Sequence, residues 1–116
     1  MRGTVKIGAT DVGMLANAAS PIIYKRVFHK DFLRGLNNIQ TEGNETEGVD
    51  LFTEMGFVMA MQDCKTLQQQ AHLCEDDYLE WLLQFEPTDF ISAAVDIATL
   101  YNGQEKTLSK PKKEEG

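Results

Sequence analysis

The chain has few of the residues that would tie it to a disulfide framework or to a membrane. Its 116 residues include two cysteines, Cys64 and Cys74, which are too few to hold together a small secreted scaffold. No apolar run approaches the roughly 18 residues that can span a bilayer. The segment 1–7 is short and mixed, without the apolar region of a signal peptide. We therefore expect the protein in the cell interior.

Positive charge is also scarce. The chain has 11 Lys and Arg residues against 18 Asp and Glu residues, which gives a net charge of −7. An acidic surface repels phosphate groups, so general nucleic-acid binding is disfavoured. Hydrophobic residues make up 42% and charged residues 25% of the chain, as in ordinary globular proteins. The length suffices for one domain with its own core.

Recognisable catalytic and metal-binding motifs are absent from the sequence. We find no nucleotide-binding glycine loop, no metal-binding helix motif and no Ser/His/Asp order. Cys64, His72 and Cys74 are the best zinc candidates, but they include no closely paired cysteines and lack a fourth ligand. The alternative is two buried thiols and a surface imidazole. We therefore predict a protein that is not an enzyme and has no cofactor and no bound metal.

The strongest pattern in the chain lies in the segment 20–36. Ser20 is placed to cap a helix, and Pro21 suits the first helical position because it loses no hydrogen bond there. The spacing predicts one amphipathic helix over 21–38, with a basic opposite face. The apolar residues that recur at intervals of three and four are Tyr24, Val27, Phe28, Phe32, Leu36 and Ile39. The basic residues are Lys25, Arg26, Lys30 and Arg34.

The rest of the pattern predicts a mainly α fold, with an N-terminal β-hairpin followed by about four helices. Extended runs at 4–7 and 12–16 flank a turn and form the hairpin, which must pack on helices or on another chain. The segment 41–48 has no apolar residue and is expected to be a mobile acidic loop. Further helices are predicted over 49–65, 76–85 and 87–101, with Trp81, Phe52, Phe28 and Phe32 in the core. The helix over 76–85 is expected to bury Tyr78, Leu82 and Phe85 together with Trp81. Residues 1–103 would be one helical domain, and 104–116 a disordered tail.

The second predicted helix is apolar on more than one side, which is typical of a central helix. Gly56 inside this helix predicts the close approach of another helix. One side carries Leu51, Phe52, Met55, Val58, Met59 and Gln62, and another carries Phe57 and Met61.

Two features of these helices suggest that the protein binds a partner. Methionine side chains are adaptable, so Phe57, Met61, Met55 and Met59 are predicted to take up a partner helix in a groove. The alternative for the methionines is ordinary core filling. Lys25 and Arg26 are predicted to dock an acidic partner, and the alternative is that they neutralise the protein's own acidic loop. We also expect a homo-oligomer, because the hairpin needs a surface to pack on and repeated weak sites gain avidity.

The order of segments also resembles a known family. The hairpin is followed by the segment 20–31, which fits the pattern Ala/Ser-Pro-Ile-x-Tyr-x-x-x-Phe-x-Lys-Asp. An acidic loop, a methionine-bearing apolar helix and the segment 78–85, Tyr-Leu-Glu-Trp-Leu-Leu-Gln-Phe, come next. From residue 4 to about residue 102 the chain resembles the tail assembly chaperones of long-tailed phages and prophages of Gram-positive bacteria.

The resemblance implies a non-enzymatic role in tail morphogenesis. Such chaperones act in the cytoplasm of the bacterial host and are absent from the mature virion. They are thought to bind the long, helical tape-measure protein, keep it soluble and help recruit tail-tube subunits. Two other hypotheses stay open: a small intracellular adaptor or regulatory protein that binds one folded partner, and an enzyme subunit or metal protein.

Many members of this family occur in a short and a long form, and the long form arises by ribosomal frameshifting. Lys112 and Lys113 can be encoded by an unbroken run of adenines, on which ribosomes slip. The resemblance therefore implies that a minor longer product could continue past this point in another frame. Its added module would reach a tail-tube subunit while the helical domain holds the tape-measure protein.

Overall fold

The structure is a computed structural model, and it describes residues 1–42 and 45–103. It confirms a mainly α fold with an N-terminal antiparallel hairpin. The described part of the chain has six helices where about four were predicted. The predicted disordered tail, 104–116, lies outside the described residues. The elements are β1 (Arg2–Ile7), β2 (Thr10–Leu15), α1 (Ser20–Phe28), α2 (Phe32–Glu42), α3 (Glu45–Cys64), α4 (Leu67–Gln70), α5 (Glu75–Leu82) and α6 (Asp89–Tyr101).

The hairpin packs on helices of its own chain. β1 and β2 pair in a register that runs from Arg2 opposite Leu15 to Ile7 opposite Thr10. The turn has two residues, shorter than predicted, and its first residue, Gly8, has a φ of +62°, a conformation that favours glycine. The inner face of the hairpin packs on α3 and α6, so the hairpin does not need a second chain to cover it. The buried side chains of the hairpin are Val5, Ile7 and Met14.

The single helix predicted over 21–38 is wrong, because the chain breaks between α1 and α2. His29 follows the last residue of α1 with a φ of +58°, a left-handed conformation in which the α-helix cannot continue. Asp31 then starts α2, since its Oδ1 atom accepts hydrogen bonds from the backbone N–H groups of Leu33 at 3.0 Å and Arg34 at 3.2 Å. The break leaves both Phe28 and Phe32 buried, so the apolar stripe continues across it.

Ser20 does not cap α1, in contrast to the prediction. It lies inside the first turn, and its buried hydroxyl donates a hydrogen bond to Oε1 of Gln62 on α3 at 2.6 Å. The amide of Gln62 donates in turn to Oδ1 of Asn17 at 2.9 Å. The backbone N–H of Asn17 closes the network on the Ser20 hydroxyl at 3.0 Å. These bonds fix the start of α1 against the C-terminal part of α3.

α3 is the central helix, as predicted, and it begins earlier than expected. Part of the predicted mobile loop, 45–48, is its first turn, and Thr41 and Glu42 belong to α2; residues 43 and 44 lie outside the described part. α3 contacts β2, α1, α2, α4, α5 and α6. The close approach expected at Gly56 is confirmed, since a Cβ there would lie 2.7 Å from Cδ1 of Ile97 on α6.

The core is rich in aromatic rings. Phe28, Phe32 and Trp81 are buried, as predicted, while Phe52 is half-buried and packs against the core. α5 ends at Leu82, three residues before the predicted end, and α6 begins at Asp89. Trp81 is surrounded by the rings of Phe57, Tyr78, Phe85 and Phe90, with centroid distances of 5.1 to 6.4 Å.

A candidate partner-binding groove

The predicted contact residues of α3 lie mostly in the core. Phe57 is 1% exposed, and its ring packs on Phe28, Tyr78 and Trp81. Met55 and Met59 are fully buried. The expectation that Phe57 lies in an exposed part of this helix is wrong, because α3 has neighbours on nearly every side. For the methionines, core filling is the interpretation that the structure supports.

The other predicted contact residues do not join them in one surface. Met61 is half-buried and packs against the core. Lys25 and Arg26 lie exposed near the end of α1, and neither forms a salt bridge with a described residue. Arg26 and His29 line an opening of about 420 Å³ that also includes Glu75 and Asp76, so the charges there are mixed.

The three zinc candidates also differ from the expected arrangement. Cys64 and Cys74 are exposed, whereas the alternative to a zinc site expected buried thiols. The thiol of Cys74 donates a weak hydrogen bond to Oδ2 of Asp77, and the same oxygen accepts from the Cys74 backbone N–H at 3.0 Å. Within residues 1–42 and 45–103, no group of three or more His, Cys, Asp or Glu side chains is arranged to hold a metal ion.

A concave apolar surface does lie between α3, α5 and the start of α6, and we call it the α3–α5 groove. Its volume is about 330 Å³, at the low end of the range of binding pockets. Most of its lining is apolar, and Asp50 and Glu86 add carboxylates. The lining residues are Val49, Asp50, Thr53, Tyr78, Leu82, Phe85, Glu86, Pro87 and Phe90.

Local structure explains why these side chains converge. Tyr78 and Leu82 are one turn apart on α5, so they share a face. The ring of Tyr78 is held edge-on by Phe28 at 5.0 Å and by Phe57 at 5.5 Å. Between α5 and α6, Oδ2 of Asp89 accepts a hydrogen bond from the backbone N–H of Glu86 at 2.9 Å, which fixes the turn.

A second, more polar opening lies on the other side of α3. Its volume is about 270 Å³, and α1, α2 and α3 contribute to its lining. The buried hydroxyl of Tyr24 donates a hydrogen bond to Glu54, and Nζ of Lys30 lies 3.2 Å from that carboxylate. Asp50 borders both openings, so it lies on the ridge of α3 that separates them.

Acidic side chains of α3 affect the pKa values of two tyrosines, one at each opening. Burial raises the pKa of the Tyr78 hydroxyl, and the negative charges of Glu54 and Asp50 raise it further. Burial also raises the pKa of Tyr24, followed by its hydrogen bond to Glu54 and the charge of that residue. Two tyrosines from different helices therefore experience the charge of one carboxylate, Glu54. The arrangement is suited to hold apolar side chains next to positive charge.

Comparisons with protein-family models, with curated proteins and with solved structures give no match for this chain. Among the described residues, no helix combines the length and the apolar composition needed to cross a membrane. The groove is therefore interpreted from its own geometry, in which an apolar floor between two helices is bordered by acidic side chains.

Sequence reasoning missed the groove because it placed the groove's residues in the core. Tyr78, Leu82 and Phe85 were predicted to be buried with Trp81, but only Trp81 is buried and the other three are half-buried. One signal of partial exposure was available. The helix predicted over 76–85 is short, and its apolar stripe is wide for so few turns. Periodicity cannot tell a stripe that is covered by the core from one that is half-open to solvent.

Proposed function

We propose that this protein is a tail assembly chaperone of a long-tailed phage or prophage, and that it binds the tape-measure protein through the α3–α5 groove. The observation that carries the proposal is this apolar groove, which lies between two helices of a small domain and is partly open to solvent. A groove of this kind takes apolar side chains from one face of an amphipathic helix. The family resemblance of the segments 20–31 and 78–85 is the reason for proposing the tape-measure protein as the helical partner.

In this proposal the chain acts without catalysis. It covers apolar side chains of the tape-measure helix in the host cytoplasm, keeps that protein soluble until tube subunits arrive, and is absent from the finished virion. Lys25 and Arg26, exposed on α1, are free to contact tail-tube subunits or a second acidic surface. The proposed longer product, which would begin near Lys112 and Lys113, concerns residues outside the described part of the chain.

Self-association belongs to the same proposal. Several large apolar side chains are exposed away from the groove, and such surfaces are common at contacts between copies. Leu67 on α4 is 81% exposed, Ile22 on α1 is 67% exposed, and Leu83 after α5 is 83% exposed. Light scattering at high micromolar concentration should show a species larger than a monomer, and a monomer alone would contradict this part of the proposal.

The neighbouring genes and one co-expression experiment test the proposed function. A tail-tube gene should lie upstream and a very long tape-measure gene downstream. When the product of the very long gene is expressed alone, we expect it to be largely insoluble. Co-expression with this chain should bring it into the soluble fraction as a complex that survives size-exclusion chromatography. The absence of such a gene, or a product that stays insoluble and unbound, would contradict the proposal.

A further inference from the structure

The charged side chains that border the α3–α5 groove are all acidic. Asp50 on α3 and Glu86 between α5 and α6 are exposed, and neither forms a salt bridge with a described residue. Among the described residues that line the groove, only these two have charged side chains. Both carboxylates are therefore available to a ligand that enters between them.

The groove is short as well as apolar. Val49 and Thr53 are four residues apart on α3, and Tyr78 and Leu82 are four residues apart on α5. Four residues rise about 6 Å along a helix, so each wall is about one helical turn long. A groove of about 330 Å³ with walls of this length takes one or two large apolar side chains, not a long continuous stripe.

The charge of the groove is set by its own carboxylates and by the chain as a whole. Glu54 lies outside the lining and is paired with Lys30 at 3.2 Å, so it adds little to the field at the groove. The whole chain carries a net charge of −7. By contrast, the opening next to Arg26 and His29 includes Glu75 and Asp76 and has no uniform sign. Charge complementarity therefore selects a cationic ligand for the groove.

We propose that the segment bound in the α3–α5 groove is a basic amphipathic helix, with one or two large apolar side chains flanked by lysine or arginine. The apolar side chains fill the floor formed by Val49, Tyr78 and Leu82, and the cationic side chains pair with Asp50 and Glu86. This inference rests on the proposed function, because it gives the chemistry of the tape-measure segment that the chaperone recognises.

Two synthetic helical peptides test the inference. They share one stripe of leucines and differ only at the flanking positions, which are lysine in one peptide and glutamate in the other. Fluorescence anisotropy of the labelled peptides is measured with the full chain. We expect the lysine peptide to bind at least about tenfold more tightly, because the glutamate peptide meets like charges at the rim. The difference should shrink as salt is added.

Three variants, each of which removes one carboxylate charge, test whether the preference for the lysine peptide arises at the groove. Asp50→Asn and Glu86→Gln should each weaken the lysine peptide several-fold, at about the size of a rim ion pair. Glu80→Gln removes an exposed carboxylate of α5 that does not line the groove, and should leave binding unchanged. If the three variants weaken binding equally, the peptide responds to the net charge of the protein, and the inference is overturned.

Val49→Gln separates this inference from the proposed function. It places a polar amide in the floor of the groove and should weaken the lysine peptide. If both peptides bind equally well and Val49→Gln weakens both, the groove binds apolar helices without selecting charge. That result rejects the inference and leaves the proposed function intact. If neither peptide binds, the inference is likewise rejected, while soluble co-expression with the tape-measure protein still tests the function.

Discussion

Tyr24 of α1 donates a hydrogen bond from its buried hydroxyl to the carboxylate of Glu54 on α3. Nζ of Lys30 lies 3.2 Å from each oxygen of the same carboxylate, so Glu54 has a partner from the core and a partner from the surface. The ring of Tyr24 packs on Phe28 and Phe32, which lie on either side of the break between α1 and α2. The pair thus joins the interrupted first helix to the central helix.

Removal of the Tyr24 hydroxyl tests this connection. We expect Tyr24→Phe to lower the free energy of unfolding by about 1–2 kcal/mol, since Glu54 loses a buried donor and keeps only Lys30. Chemical denaturation measures the change. Tyr101→Phe is the matched control, because Tyr101 also packs its ring on Phe32 but its hydroxyl bonds to no described residue. Equal effects of the two variants would show that the hydrogen bond adds nothing to stability.

Alkaline pH should unfold the protein through its tyrosines. Burial raises the pKa values of Tyr24, Tyr78 and Tyr101 above that of an exposed tyrosine, which ionises near pH 10. The folded chain then holds protons that the unfolded chain loses, so stability is full below about pH 10 and falls above it. Tyrosinate absorbance should rise together with the loss of helical circular dichroism. Ionisation near pH 10 with the helices intact would contradict the burial of these hydroxyls.

The left-handed residue between α1 and α2 allows a stabilising substitution. His29 has a φ of +58°, a conformation that costs a residue with a Cβ about 1 kcal/mol and costs glycine little. We expect His29→Gly to raise the free energy of unfolding by up to about 1 kcal/mol. Asp31→Ala should lower it by about 1 kcal/mol, since Asp31 caps α2. If His29→Gly instead destabilised the protein by as much as a glycine inside a helix does, the result would indicate one continuous helix over 21–38 and contradict the break at His29.

The contact between α3 and α6 at Gly56 can be tested by a pair of variants. A Cβ at position 56 would lie 2.7 Å from Cδ1 of Ile97, which is fully buried. Gly56→Ala should therefore destabilise the fold by about 1–2 kcal/mol, even though alanine favours helices. Ile97→Val removes the clashing Cδ1 atom, so the double variant should be more stable than the sum of the two single effects. Additive effects would mean that the helices separate freely at this point.

Periodicity predicted the hairpin, the central position of α3 and the buried ring of Trp81, because each depends on local pattern or on a residue that is costly to expose. It could not find the break at His29. Tyr24, Phe28 and Phe32 keep a spacing of four across the break, so the apolar pattern alone does not reveal it. The left-handed conformation of His29 leaves no mark in that apolar pattern.

The same limit explains the misplaced binding residues. Phe57 and Met61 form a second apolar side of α3, next to the side that carries Met55 and Met59, and an apolar side can face either a partner or more of the same core. Only the position of α5 and α6 decides between these two cases. The groove is formed where α3, α5 and α6 do not pack closely against one another. It therefore depends on tertiary structure and not on the composition of one segment.

The most direct test of the account is the affinity of the tape-measure protein for matched groove and non-groove variants. Val49→Gln and Val95→Gln make the same chemical change, one in the α3–α5 groove and one on the exposed side of α6. Calorimetry with a soluble tape-measure fragment should show that Val49→Gln weakens binding about tenfold, or about 1.4 kcal/mol, while both variants keep the wild-type circular dichroism. Val95→Gln should bind as the wild type does. Wild-type affinity for Val49→Gln, or an equal loss in both variants, would contradict binding in the groove.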